Sequence, residues 1–236
     1  MNRTDFTPPV GLSPRRGLAA EGQAQFERAI ASGLLRCAVP PEAGGLGGTP
    51  AMLAEGARAL GRASPAAGWI LWAQRLAIEI LVHTPNVGLR EYLLPDLLCG
   101  ERAGTVPLPL GTDGVTRDAA RAPAIEAAGS VVAQPGAQSL HLSGHFPCVP
   151  HLQWQGFVVA LPVRRGTRTT WFLLRGEESG LHAGIDLGPP CPPGSRSAAL
   201  ALDAVFCRAD EVLGDGSLTQ RLDAVATALA EGLVGT

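Results

Sequence analysis

His141, His145, Cys148 and His151 crowd into one short run, SLHLSGHFPCVPH (residues 139–151), dense enough in imidazole and thiol to invite a metal or acid–base reading. In an extended chain His141 and His145 share a face but lie roughly 13 Å apart at strand rise. A shared zinc would need a tight turn between them, and the spacing matches no zinc pattern. The run reads instead as polar residues around a β turn, and no metal site is expected. His145 and His151 are of the residue type that serves as a general base near neutral pH. Spacing alone supplies neither with a partner carboxylate or a nucleophile.

The second candidate is VPPEAGGLGGTP (residues 39–50), where Gly44, Gly45, Gly47 and Gly48 suggest a phosphate cradle. A dinucleotide loop needs its glycines directly after a strand, opening a helix inside a βαβ unit. Here they follow a helix and the segment LLRCAVP, and the next helix starts only at Pro50. The glycines are therefore expected to link helices. Arg164, Arg165 and Arg168 mark a hairpin tip that is either solvated or an anchor for an anionic group such as a CoA phosphate. Trp69 and Trp72 lie within a turn of one another and read as core or interface. Asp223 and Glu231, on a terminal helix, sit where solvent-facing charges are ordinary.

The elements that must position these residues follow from periodicity. Residues 16–36 repeat apolar side chains at helical intervals. Thr49-Pro50, Ser64-Pro65 and Thr84-Pro85 each offer a hydroxyl cap followed by a proline, announcing helices over 50–62, 65–83 and 85–94. Pro95 and Gly100 are expected to close this helical part. Beyond residue 103 come short β-rich runs: AGTVPLPL, GSVVAQ, SLHLSG, GFVVALPV, TRTTWFLL and AALALDAVFC. Gly and Pro punctuate them at intervals suited to antiparallel strands. From Ser217 a helix returns with Leu218, Leu222, Val225 and Leu229 on one face, a stripe expected to be exposed and in want of a partner. The fold class is thus α+β: an N-terminal all-helical domain (1–102), a small antiparallel β-barrel or sandwich domain (103–214) and one C-terminal helix (215–236).

Composition narrows the function classes. A formal charge of -2 gives no electrostatic reason to expect nucleic acid or an anionic membrane. All 19 basic residues are arginine, which excludes a Schiff-base or P-loop lysine. Five cysteines without a CxxC pair point to reduced thiols and a cytoplasmic protein. The longest apolar stretch, residues 68–83, is broken by Gln74, Arg75 and Glu79 and does not read as a membrane span.

Four segments in order carry a family resemblance. LLRCAVPPEAGGLGG with LAEGARALGRASPAAGWIL, then EYLLPDLLCGERAG, LHLSGHFPCVPHLQWQGFVVAL and GSRSAALALDAVFCRADEVLGDG resemble the acyl-CoA dehydrogenase superfamily over about residues 16–236. The resemblance implies a flavin-dependent oxidoreductase acting on an acyl thioester or related small substrate, with FAD as cofactor. It implies cofactor contacts at Leu110, Gly111, Thr112, Asp113, Phe146, Cys148 and Val149. Departures accompany it: VPLPLGTDG lacks the family's glutamate, and Pro150 stands where a Ser or Thr touches the flavin. In the family a C-terminal helical bundle supplies the catalytic carboxylate, and only its first helix is matched, so no catalytic residue is assigned. A homo-oligomer or a second chain is expected to supply the remaining helices, with an acyl-CoA-type ligand. The alternative is a binding or structural subunit that kept the fold and lost flavin chemistry.

Overall fold

The computed structural model describes residues 16–107, 110–111, 114–115, 125–126, 139–153, 156–165, 167–188 and 191–233. Four helices lead: α1 (Arg16–Ala31), α2 (Pro50–Ala63), α3 (Pro65–His83) and α4 (Val87–Cys99). Ten strands follow, β1 (Ala103–Thr105), β2 (Leu110–Gly111), β3 (Gly114–Val115), β4 (Ile125–Glu126), β5 (Ser139–Val149), β6 (Phe157–Arg165), β7 (Arg168–Arg175), β8 (Leu181–Asp186), β9 (Ala198–Arg208) and β10 (Val212–Asp215). Helix α5 (Ser217–Leu233) ends the described chain.

Two helix caps work as their sequence suggests. Thr49 Oγ1 accepts from the Met52 N–H at 3.3 Å and Ser64 Oγ from the Ala67 N–H at 3.3 Å, with Pro50 and Pro65 in the first turn. The third differs. Asn86, not Thr84, caps α4 through Leu89 N–H, and its amide also donates to the Asp210 and Val212 carbonyls. Thr84 accepts from the Asn86 N–H at 3.1 Å and donates to the Leu213 carbonyl, so the α3–α4 corner is tied to β10. Helix α1 stops at Ala31, short of residue 36, because Gly33 turns the chain at φ 72°. Helix α4 runs through Pro95 to Cys99 and is closed by Gly100 at φ 79°. Pro95 and Glu91, whose carbonyl the proline leaves without an N–H, are both exposed, so water takes the freed acceptor.

Among the described residues the strands form a five-stranded sheet, a three-stranded sheet and the small β2–β3 hairpin, none closing into a barrel. The first sheet runs β1-β6-β7-β10, with β4 beside the far end of β6; the second runs β5-β9-β8. β1 and β4 pair with β6 in parallel, where antiparallel strands were expected throughout. β8 and β10 are too short, and β8 too exposed, to announce themselves by alternation. The expected GSVVAQ strand falls outside the described residues. Arg165 and Arg168 face each other at the β6–β7 tip.

Helix α3 is the shared core, buried at every residue from Ala66 to Leu81 and packed against α1, α2, α4, α5, β1 and β6. Trp69 and Trp72 belong to that core. The apolar stripe of α5 is likewise covered. Leu218, Leu222, Val225 and Leu229 lie between 1% and 5% exposed, against α2 and α3, so the stripe calls for no outside partner. Trp171 Nε1 donates to Thr219 Oγ1 at 3.2 Å and ties α5 to β7.

Arg75, buried within α3, meets Glu79 Oε2 at 3.5 Å, while Glu79 Oε1 meets His83 Nε2 at 2.9 Å. Burial pushes the Arg75 pKa down and Glu79 opposes that shift. Removing one member of such a pair strands a buried charge, whereas an apolar pair of similar volume does not. Glu79→Ala is therefore expected to cost about 3–5 kcal/mol in urea unfolding. The double change Arg75→Met with Glu79→Leu should cost distinctly less. Equal losses from both would refute the pair as the origin.

Candidate functional site

The glycine loop consumes its own donors. Gly44 N–H goes to Pro41 O, Gly45 N–H to Pro40 O, Leu46 N–H to Arg36 O and Gly47 N–H to Val39 O, all between 2.8 and 3.0 Å. Those amides have no hydrogen left for a phosphate. Gly44, Gly47 and Gly48 sit at φ 85°, 66° and 101°, and a Cβ on Gly45 would lie 2.0 Å from Val39 O. The loop is a tight helix-to-helix link, requiring glycine for turning and close approach.

The candidate cofactor residues divide into two places. Leu110 and Gly111 form β2, paired with Val115 and Gly114 of β3, and Thr112 and Asp113 lie outside the described residues. Phe146, Cys148 and Val149 come together at the end of β5, each no more than 1% exposed. Phe146 pairs with Leu200 and Val149 with Ala198 across the β5–β9 ladder, with a register shift between them. Cys148 Sγ lies 3.5 Å from Cys191 Sγ. Pro150 has no N–H, and its carbonyl accepts from Thr105 Oγ1 at 2.6 Å. These described side chains do not fit a direct polar hold on a flavin ring.

The histidine cluster splits as the strand pattern dictates. His141 and His145 are on the exposed face of β5, His141 edge-on to Phe206 at 5.4 Å. His151 is fully buried and held at φ 62°, a conformation that favours glycine. Its surroundings determine its chemistry. Gln74 Nε2 donates to the carbonyls of Leu97 (2.9 Å) and Arg102 (3.0 Å), so Gln74 Oε1 must face the Gly104 N–H at 2.6 Å and His151 Nε2 at 3.0 Å. His151 therefore carries its proton on Nε2, and Nδ1 accepts from Gln153 Nε2 at 2.9 Å. Phe26 of α1 packs edge-on against the ring at 4.4 Å. Burial pushes the imidazole pKa down to about 3. His151 is thus a neutral, fully engaged structural histidine, which corrects its candidacy as a general base.

Beside this node opens a cleft of about 690 Å³, bordered by Arg102, Gln153, Phe157, His182, Asp186 and Arg196, within the size range of small-molecule sites. Arg196 sits at φ 54°. Its Nη1 meets Asp186 at 3.3 Å and its Nη2 donates to Leu152 O at 3.2 Å. Burial pushes its pKa down, with Asp186 opposing. Arg196 lines the cleft and His151 precedes its lining residues Leu152 and Gln153; both are left-handed non-glycine residues, and strain of this kind gathers at functional sites. Sequence reasoning singled out His151 but in the wrong role, and it missed Arg196, because neither φ nor a long-range wall leaves a mark in local patterning. A shallower hollow of about 670 Å³ lies between the glycine loop, His83 and Arg90.

Comparison with known proteins identifies the class. Residues 15–101 match the family model described as acyl-CoA dehydrogenase, N-terminal domain. The whole chain is similar to the apo form of PigA, at TM-score 0.67 and 17% identity over 96% of this chain and 66% of that one. It is similar to glutaryl-CoA dehydrogenase from Mycobacterium smegmatis, at TM-score 0.71 and 18% identity over 94% and 58%. An acyl-CoA dehydrogenase complexed with FAD from Bacillus anthracis gives TM-score 0.63 and 20% identity over 92% and 39%. No curated protein matches significantly. The fold is that of these solved acyl-CoA dehydrogenase structures, and residues 15–101 are similar to that family's N-terminal domain. The chain spans less than two thirds of the length of these three structures. Among the described residues no helix is long and apolar enough to cross a membrane.

The neutral state of His151 has a thermodynamic consequence. Its pKa is about 3 in the folded protein against 6.5 in a free chain, so the unfolded state binds the extra proton between those values. The associated stability is complete above 6.5 and is lost at up to about 1.4 kcal/mol per pH unit as pH falls toward 3. The urea midpoint should fall on acidification between about pH 6.5 and pH 4, and His151→Asn should flatten that slope. An unchanged slope in the variant would assign the effect to the carboxylates instead.

Proposed function

We propose that this chain is an acyl-CoA dehydrogenase-like, flavin-dependent oxidoreductase acting on an acyl thioester or a related small substrate, with FAD as cofactor. The observation that supports it most is the continuous fold match, over 92% of this chain, to a structure solved as an FAD complex, joined to the N-terminal family match. In this reading Leu110, Gly111, Thr112 and Asp113 contact the cofactor. Phe146, Cys148 and Val149 form the apolar floor beneath it and make no hydrogen bond to the ring. The paired arginines at the β6–β7 tip offer an anchor for a CoA phosphate. A second copy or a further chain is the partner in this reading, and the protein works in the cytoplasm.

A second reading has its own observation. The end of β5 is sealed, with Cys148 turned to Cys191 and Pro150 unable to donate. That favours a binding or structural subunit that keeps the scaffold without flavin chemistry.

One measurement separates the two. Purified protein incubated with FAD and passed through gel filtration should retain near-stoichiometric flavin absorbance, alone or co-expressed with the product of a neighbouring reading frame. Colourless protein in both preparations would establish the second reading. Retention lost on Asp113→Ala but kept on Cys148→Ala would support the proposed division between residues 110–113 and the floor.

A further inference from the structure

The geometry points to Cys148 and Cys191 as a reversible dithiol–disulfide site that joins the end of β5 to the segment leading into β9. The inference is independent of the flavin reading. The two sulfurs lie 3.5 Å apart, in van der Waals contact, with the residues only 1% and 4% exposed. They are 43 positions apart in sequence. Long-range backbone bonds hold their neighbourhoods together: His151 N–H to Ser195 O at 3.1 Å and Leu152 N–H to Arg196 O at 2.9 Å. A sulfur–sulfur bond of about 2.0 Å therefore asks for a closing movement of about 1.5 Å, with no element rearranged. Both residues are free thiols in the structure.

Their environments are unequal, which sets the order of events. Cys191 accepts hydrogen bonds from Cys148 and Ser197, and these draw its pKa down to about 7 against burial and the charge of Asp186. The same contact, with burial, pushes Cys148 up. Cys207, by contrast, is driven up to about 12 chiefly by burial. With hydrogen peroxide as oxidant, the Cys191 thiolate attacks one peroxide oxygen. The O–O bond breaks, a sulfenic acid forms, and the departing hydroxide takes a proton to become water. Cys148 then attacks the Cys191 sulfur, the S–O bond breaks, and the leaving hydroxide carries off the Cys148 proton as a second water. Two thiols lose two electrons and two protons, and one peroxide becomes two waters. A dithiol reductant reverses the result.

The bond would unite two walls. Cys191 opens the segment that carries Ser195, Arg196 and Ser197, and Arg196 and Ala198 border the 690 Å³ cleft. Cys148 belongs to the strand that ends in the His151 node. Oxidation would hold that side of the cleft to β5 covalently.

Tryptic mapping reads the site directly, because cleavage at arginine places Cys148 alone on 122–164 and Cys191 alone on 176–196. Native protein treated with peroxide, quenched with iodoacetamide and digested without reductant should yield these two peptides cross-linked, minus two hydrogens. Dithiothreitol should restore both. Cys148→Ala should leave a sulfenic acid on 176–196 that dimedone traps, and Cys191→Ala should leave 122–164 unoxidised. Cross-links through Cys99 alone, or oxidation of Cys191 to the sulfinic acid with Cys148 still present, would overturn the inference. So would a cross-link that appears only in urea, and the wild-type mapping decides this even where a variant folds poorly.

Discussion

The arrangement depends on one buried amide. Gln74 sits in the middle of α3 at zero exposure and uses its side chain on four partners: the carbonyls of Leu97 and Arg102, the N–H of Gly104 and the imidazole of His151. Those partners belong to the end of α4, the turn into the strands, β1 itself and the loop after β5. Leaving any one of them buried and unpaired would cost about 1–3 kcal/mol. A single side chain thus fixes where the helical layer meets the sheets. The two carbonyls dictate the amide's orientation, the amide dictates the histidine tautomer, and the tautomer makes Gln153 a donor.

That chain of dependence explains why strain gathers where it does. His151 serves Gln74 and Gln153 from a left-handed backbone conformation, and Arg196 adopts another beside it while bonding Asp186 and Leu152 O. Such conformations each cost on the order of 1–3 kcal/mol and persist because several bonds over-determine them. The result is a rigid back wall for the cleft. His151 contributes position, and its neutral state at ordinary pH is the condition for that role.

Local signals carried the helical half of the molecule. The Thr-Pro and Ser-Pro caps and the apolar period of α5 repeat over three or four residues, and the glycine link closes within about ten, which is the range a sequence pattern records. The misplacements have the same physical root. Thr84 accepts from the Asn86 N–H rather than from the first turn of α4, and Pro95 stays within α4 because the carbonyl it frees belongs to exposed Glu91. The α5 stripe looked unpartnered only because α2 and α3 were invisible to a one-helix argument. The parallel pairing of β1 and β4 with β6, and the meeting of residues 148 and 191, are long-range facts that no local period encodes.

The same distinction bears on what the scaffold can do. A family's fold is held by distributed packing, which tolerates a proline or a cysteine at any one strand position, whereas a cofactor's hydrogen bonds are few and local. At the end of β5 the packing is intact: Phe146, Val149, Leu200 and Ala198 are all buried across the ladder. Local donors are scarce there, with Pro150 lacking an N–H and Cys148 facing another sulfur. Fold and site have therefore been under separate physical constraints in this chain. Any chemistry it retains must come from groups that packing does not consume, and among the described residues such groups border the cleft beside Arg196 rather than the sealed strand.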